Sequence, residues 1–316
     1  MSTHVSRHAD EPVHPDGTRH RIVVGVDNRG RSASALVWAA EEAERNGGAL
    51  VLVSAIPPGS ASKDSMGEHD LGTLARRLTL ADVERRTSTD TPVEALLEAA
   101  SKADLLAVGC RTTGALHRLL VGSTSRTVGC WSPVPVVIVP ERWIQPSMAT
   151  TPLVVGVRPS LNVAPPAEEP DRDVLDFAFA RAASLAVPLV VVSAWEVPTA
   201  YAWSPEDIQR ARTEYDEALA ARLAPWEQAH PDIEVTRCNV AEPPAQALVD
   251  ASEVAQMVIV GRHHSRVFSG FLGSTARGVL HHASRPVAVV PSGTREQLVR
   301  QLDAQRVSAA AWAPTY

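Results

Sequence analysis

RIVVGVD, residues 21–27, is an apolar run broken only by Gly25 and closed by an acid, and the chain repeats it as PLVVGVR at 152–158. Three further blocks recur in the same order: LLAVGC at 105–110 as MVIVGR at 257–262, VGSTSRTV at 121–128 as LGSTARGV at 272–279, and PVPVVIVP at 133–140 as RPVAVVP at 285–291. Four blocks in register mean a duplicated chain. Runs this apolar suit strands buried on both faces, and such strands belong to parallel sheets covered by helices.

Working outward, each half alternates strand and helix. In the first, a strand at 21–26 leads to a helix at 32–46 with Ala35, Leu36, Ala39, Ala40 and Ala43 on one face. Ser32 or Ser34 caps it and Gly47-Gly48 ends it. A strand at 49–55, a break at Pro57-Pro58-Gly59 and a short helix at 71–80 follow. Thr91 caps a helix that starts at Pro92, and strands at 105–109 and 134–139 bracket a glycine-bounded loop and a helix at 123–131. In the second half, strands at 153–157, 189–194, 233–239, 257–261 and 287–290 surround a longer helix that runs from a Ser204 cap to about His230.

The expected fold is α/β: two tandem, doubly wound, parallel five-stranded sheets, Rossmann-like in layout. The modules span 20–142 and 150–292, between a disordered polar tail at 1–19 and a C-terminal tail at 293–316 carrying a short helix at 295–304 and Trp312. The last strands, 134–139 and 287–290, are apolar sheet edges that invite pairing with each other or with another chain.

A net charge of −6 without a basic stretch, and aromatic content of only 4%, argue against a nucleic-acid binder. No apolar stretch approaches the roughly 20 residues of a membrane helix. Cys110, Cys130 and Cys238 are scattered, so the natural setting is a reducing cytoplasm without a disulfide framework. Four histidines in the first 20 residues read as a solvated tail. The pairs His263-His264 and His281-His282 are adjacent in sequence and diverge in space, so neither pair alone makes a metal site.

The stretch after the fourth strand, VGCRTTGALHRLLVGSTSR at 108–126, carries the chemistry. Gly109 permits a close approach, Gly122 brings the chain into a helix with bare N–H groups, and Ser123, Thr124 and Ser125 add hydroxyls. An anion at the helix start accounts for this pattern, and so does a turn that needs small residues. There is no Walker-type Gly-Lys-[Ser/Thr] sequence. Arg111 and Arg118 stand as phosphate contacts or as ordinary surface residues, and Cys110 has no evident base beside it. Asp27 follows the first strand and Gly109 the fourth, so the two features face one crevice if those strands are neighbours.

These residues resemble the universal stress protein family in its tandem two-domain form, across 20–291. The carriers are Val24-Gly25-Val26-Asp27, Glu94-Ala95-Leu96-Leu97 through Ala103-Asp104-Leu105-Leu106, and the loop. ATP-binding members show Gly-x2-Gly-x9-Gly-[Ser/Thr]; here Gly109 and Gly122-Ser123 keep the outer spacing, while Thr112 takes the middle position and Gly114 lies two residues on. The resemblance implies an adenine nucleotide, ATP foremost, accompanied by Mg²⁺ or Mn²⁺. Val26, Asp27 and Ala55 would serve the adenine and ribose side, with Gly109, Thr112, Gly122, Ser123, Thr124 and Ser125 at the phosphates. It also implies a regulatory stress-response role with weak or no turnover, and strand-mediated pairing that the two halves can satisfy within one chain or through a homodimer.

The second half departs from the pattern: Arg158 replaces the aspartate, His264 the middle glycine, and Ala276 the hydroxyl of Ser125. Its corresponding positions, Ala194, Gly261, Gly273 and Ser274, therefore form a weaker or empty site. Arg158 either contacts a phosphate or closes the crevice through a salt bridge. A ligand-free interaction scaffold built on the paired edge strands, and a slow nucleotide hydrolase, are the competing readings.

Overall fold

The β-branched runs of the repeat blocks become the centre of a single sheet. In the computed structural model, the described residues are 20–27, 32–56, 82–113, 118–120, 122–144, 150–196, 203–262 and 272–311. The first module comprises β1 (Arg21–Gly25), α1 (Ala33–Arg45), β2 (Ala49–Ala55), β3 (Val83–Ser88), α2 (Pro92–Ala100), β4 (Leu105–Thr113), β5 (Arg118–Leu120), α3 (Ser123–Trp131) and β6 (Val136–Pro140). The second comprises β7 (Leu153–Val157), α4 (Arg172–Leu185), β8 (Leu189–Ala194), α5 (Pro205–Ala229), β9 (Val235–Val240), α6 (Pro244–Ser252), β10 (Met257–Arg262), α7 (Ser274–His282) and β11 (Val287–Pro291). A final helix, α8 (Arg295–Ala311), follows, longer than the sequence reading allowed.

Strand order is β3-β2-β1-β4-β6 in the first module and β11-β10-β7-β8-β9 in the second, the doubly wound pattern in both. β6 and β11 then join antiparallel, so the two sheets are one. The expected edge strands thus lie at the middle of the joined sheet, with β3 and β9 at its rims. Val136, Val137, Ile138 and Val139 are each at most 1% exposed. At roughly 1.5–3 kcal/mol per side chain, their burial stabilises by about 6–12 kcal/mol before chain entropy is counted. The seam is therefore part of the core. Both hydrophobic layers, α2/α3/α6/α7 on one face and α1/α4/α5 on the other, run across it.

Several local expectations hold. Thr91 caps α2 and Ser204 caps α5, each in a reciprocal box with the acid three residues on, Glu94 or Asp207. Others differ. Ser32 makes no side-chain cap bond to α1. β3 (VERRTS) forms where a polar connection was expected: it is a rim strand with one apolar start and charged neighbours, and its pattern carries little hydrophobic signal. β4 does not stop at Gly109 but continues to Thr113 and folds back antiparallel through β5. The segments carrying the 71–80 helix, the 1–19 tail, Gly114, His263, His264 and Trp312 lie outside the described residues.

Candidate functional site

The carboxyl ends of β1 and β4 are side by side, because Ile22, Val23 and Val24 pair with Leu105, Leu106 and Ala107. Asp27 and Gly109 therefore open on one crevice. The Val26 N–H extends the sheet by donating to the Val53 carbonyl at 2.9 Å, and Ala55 ends β2 opposite Ser88. Asp27 is half-buried and tied to the start of α1. Its N–H donates to Ser32 Oγ at 2.9 Å, while its Oδ1 accepts from the Ser32 hydroxyl at 3.2 Å and, at 3.4 Å, from the Ser32 N–H. This is where the hydroxyl expected to cap α1 goes.

α3 starts at the crevice with Gly122 as its N-cap, φ −60° and ψ 159°. No side chain caps it, so the first-turn N–H groups lack intrahelical acceptors. Glycine is not required here for backbone conformation, since this φ suits any residue. Nor does packing require it: a Cβ at Gly122 would meet no heavy atom within 4 Å. Gly122 and Ser123 are exposed and Thr124 is half-buried.

The Ser125 hydroxyl and the Gly109 carbonyl are engaged with each other. Ser125 is 4% exposed, and its hydroxyl donates to the Gly109 carbonyl at 2.8 Å. It latches α3 to β4. Gly109 itself lies in β4 opposite Val139, with a partly exposed backbone and no positive φ. Thr112 sits on the β4–β5 ribbon opposite Leu119. Cys110 is buried, and desolvation, with Glu141 nearby, pushes its thiol up to about 12. Burial of this kind works against the thiolate form that nucleophilic chemistry needs.

The second module is built differently at the equivalent crevice. Arg158 follows β7, and Asp171 stands before α4 where Ser32 stands before α1. The Asp171 carboxylate is 1% exposed; Oδ2 accepts from the Arg158 N–H at 2.8 Å and Oδ1 from Arg158 Nε at 3.1 Å. Arg222 of α5, 3% exposed as a residue, places NH2 2.6 Å from Glu169 Oε1 and 3.3 Å from Asp171 Oδ2. Its Nε donates to Glu169 Oε2 at 3.1 Å and its NH1 to the Arg158 carbonyl at 2.8 Å. Arg158 thus makes a salt bridge with Asp171 while its side chain stays 48% exposed. Ala194 and Gly261 are buried strand ends, Gly273 caps α7, and Ser274 is exposed.

Glu169 and Arg222 were not singled out from the sequence, although a signal exists. Arg222 interrupts the apolar stripe Leu219, Leu223, Trp226 of α5, and an arginine in such a stripe needs a buried acid. Among the described residues, no group of three or more His, Cys, Asp or Glu could hold a metal ion. No described helix is long and apolar enough to cross a membrane.

The sequence model of the Universal stress protein family matches this chain twice, at residues 18–140 and 164–291. The chain belongs to the universal stress protein family. A universal stress protein of Mycobacterium tuberculosis H37Rv is 32% identical over 296 residues, covering 86% of this chain and 97% of the relative. One from Mycolicibacterium smegmatis is 28% identical over the same shares of the two chains. Among solved structures, a universal stress protein from Archaeoglobus fulgidus superposes with a TM-score of 0.59 at 18% identity, covering 86% of this chain and 98% of that one. A protein of unknown function from Pseudomonas aeruginosa gives 0.60 at 14% identity, covering 92% and 98%. The relatives share the tandem length, and the solved structures share the two-module fold.

Proposed function

We propose that the first module of this universal stress protein binds an adenine nucleotide, ATP foremost, and that the second serves as its structural partner with a closed crevice. The observation that carries the reading is Gly122: a glycine at the start of α3 that neither its φ of −60° nor any neighbour within 4 Å requires. A bare backbone is useful there to something that approaches the first-turn N–H groups from outside, and a phosphate chain is such a group. Val26, Asp27 and Ala55, at the ends of β1 and β2, supply the base and ribose side. Gly109, Gly122, Ser123 and Thr124 supply the phosphate side, with Ser125 contributing its N–H and Thr112 flanking them from the ribbon.

In the second module, the Arg158–Asp171–Arg222–Glu169 network occupies the strand end that Asp27 and Ser32 take in the first. Ala194, Gly261, Gly273 and Ser274 consequently bind weakly or not at all. With no protein cluster to hold it among the described residues, Mg²⁺ or Mn²⁺ would be held chiefly by the nucleotide's own phosphates. The role is regulatory, in keeping with membership of the universal stress protein family. The location is the cytoplasm.

The test is calorimetry with ATP and Mg²⁺ on the wild type and on Gly122→Val. Because a side chain there meets open space, the variant folds as the wild type does. The expected result is one site per chain and at least tenfold weaker binding in the variant, about 1.4 kcal/mol. Superimposable titrations of the two proteins would refute the assignment.

A further inference from the structure

The two modules meet on a pseudo-twofold axis. Across the seam Val137 pairs with Ala288, Val136 with Val289, and Ile138 with Val287. Val137 and Ala288 hold the same place in their own strands, so the axis passes through that pair. On the α1/α4 face, Glu42 and Arg181 also hold equivalent places, 139 residues apart. The same offset relates Gly47 and Ala186, the left-handed residues that end α1 and α4 at φ 56° and 51°.

Equivalent positions beside a twofold axis face each other, and here they carry opposite charges. Arg181 NH1 and NH2 grip Glu42 Oε1 and Oε2 at 2.6 and 2.8 Å, a two-pronged pair with side chains only 10% and 7% exposed. The guanidinium also lies 5.1 Å from the centre of the Trp38 ring. On the opposite face, Arg262, 2% exposed, donates from NH1 to the Ser132 carbonyl of the first module at 2.6 Å. That carbonyl lies at the carboxyl end of α3, where the helix dipole favours a cation. The equivalent residue of the first module is Cys110, which has no cation to return.

We propose that Glu42 and Arg181 select the partner at the seam, so that the first module pairs with the second module of its own chain rather than with a second copy of itself. Two first modules joined through β6 would bring Glu42 against Glu42. Two second modules joined through β11 would bring Arg181 against Arg181. Either arrangement places like charges in a spot nearly closed to water, where repulsion is poorly screened; Glu42 would keep Arg45 (2.6 Å) and Asn46 (2.9 Å) of its own module but lose the two-pronged grip of Arg181. The surface fits a module of this fold that carries a base at the Arg181 position of α4.

The test uses full-length chains bearing two different tags, with Glu42→Arg, Arg181→Glu and the double exchange. Wild-type chains set the background of cross-capture on co-expression. Co-expressing Glu42→Arg with Arg181→Glu restores opposite charges only if the modules exchange between chains, so the expected result is cross-capture at least tenfold above that background at twice the chain mass. The double exchange behaves as the wild type. Cross-capture no greater than background, with both variants folded, overturns the proposal. If a single reversal fails to fold, Glu42→Gln, Arg181→Gln and their combination replace it in a double-mutant cycle of thermal midpoints. Additive midpoints there overturn the proposal; strong coupling together with a wild-type-like double exchange supports it.

Discussion

Replacing Arg222 by methionine tests what holds the charged network at the strand end of the second module. The change keeps most of the buried stem and removes the four hydrogen bonds given to Glu169, Asp171 and the Arg158 carbonyl. It leaves Glu169 and Asp171, 5% and 1% exposed, without the cation between them. Arg158 still touches Asp171, but its side chain is 48% exposed and it does not replace Arg222. Breaking a buried pair from one side costs about 3–5 kcal/mol. At roughly 2–4 °C per kcal/mol for a unit of 150–250 residues, the thermal midpoint falls by about 6–20 °C. Differential scanning calorimetry reads this directly. Adding Glu169→Gln and Asp171→Asn to Arg222→Met removes the stranded charges and recovers more than half of the loss. A single-variant shift under about 2 °C would show that the network is not the stabilising buried salt-bridge cluster that its geometry implies.

Two further outcomes follow from the packing. Burial opposes ionisation of Glu42, but the Arg181 and Arg45 guanidiniums beside it outweigh that and hold its carboxyl below the ordinary value of 4.5. Its contribution is thus complete above that value and is lost as pH falls through the lower folded value; thermal midpoints of wild type and Glu42→Gln should differ at pH 6 and converge toward pH 3. Gly48→Ala places a Cβ 2.5 Å from the His20 carbonyl, which also accepts the Ala49 N–H, and should cost about 1–3 kcal/mol in urea denaturation. Gly129→Ala, inside α3 and no closer than 3.8 Å to any atom, should be neutral or gain up to about 1 kcal/mol.

The duplicated blocks made the module order legible, because apolar strands such as 21–26 and 105–109 are buried on both faces and show it in every residue. The neighbouring of β1 and β4 follows from the doubly wound rule and puts Asp27 and Gly109 together. What was not legible depends on partners distant in sequence. β3 is recognisable as a strand only once β2 is there to pair with it. The β4–β5 ribbon hides in a segment whose glycines suggested an open loop. The Ser125 hydroxyl turns inward because the Gly109 carbonyl lies 2.8 Å away, a distance that no local pattern encodes. Glu42 reads as a surface acid of α1 until Arg181 arrives from a helix 139 residues later.

The antiparallel seam has a geometrical result for whatever reads this protein. Because β6 and β11 run in opposite senses, the carboxyl ends of the strands of the two modules point in opposite directions along the strands. A protein that grips the end where Asp27 and Gly122 lie meets the strand beginnings of the second module, not the end that carries its buried charged network. The molecule thus presents two unlike poles, with Asp27 and Gly122 at one and the Arg158–Asp171–Arg222–Glu169 network at the other.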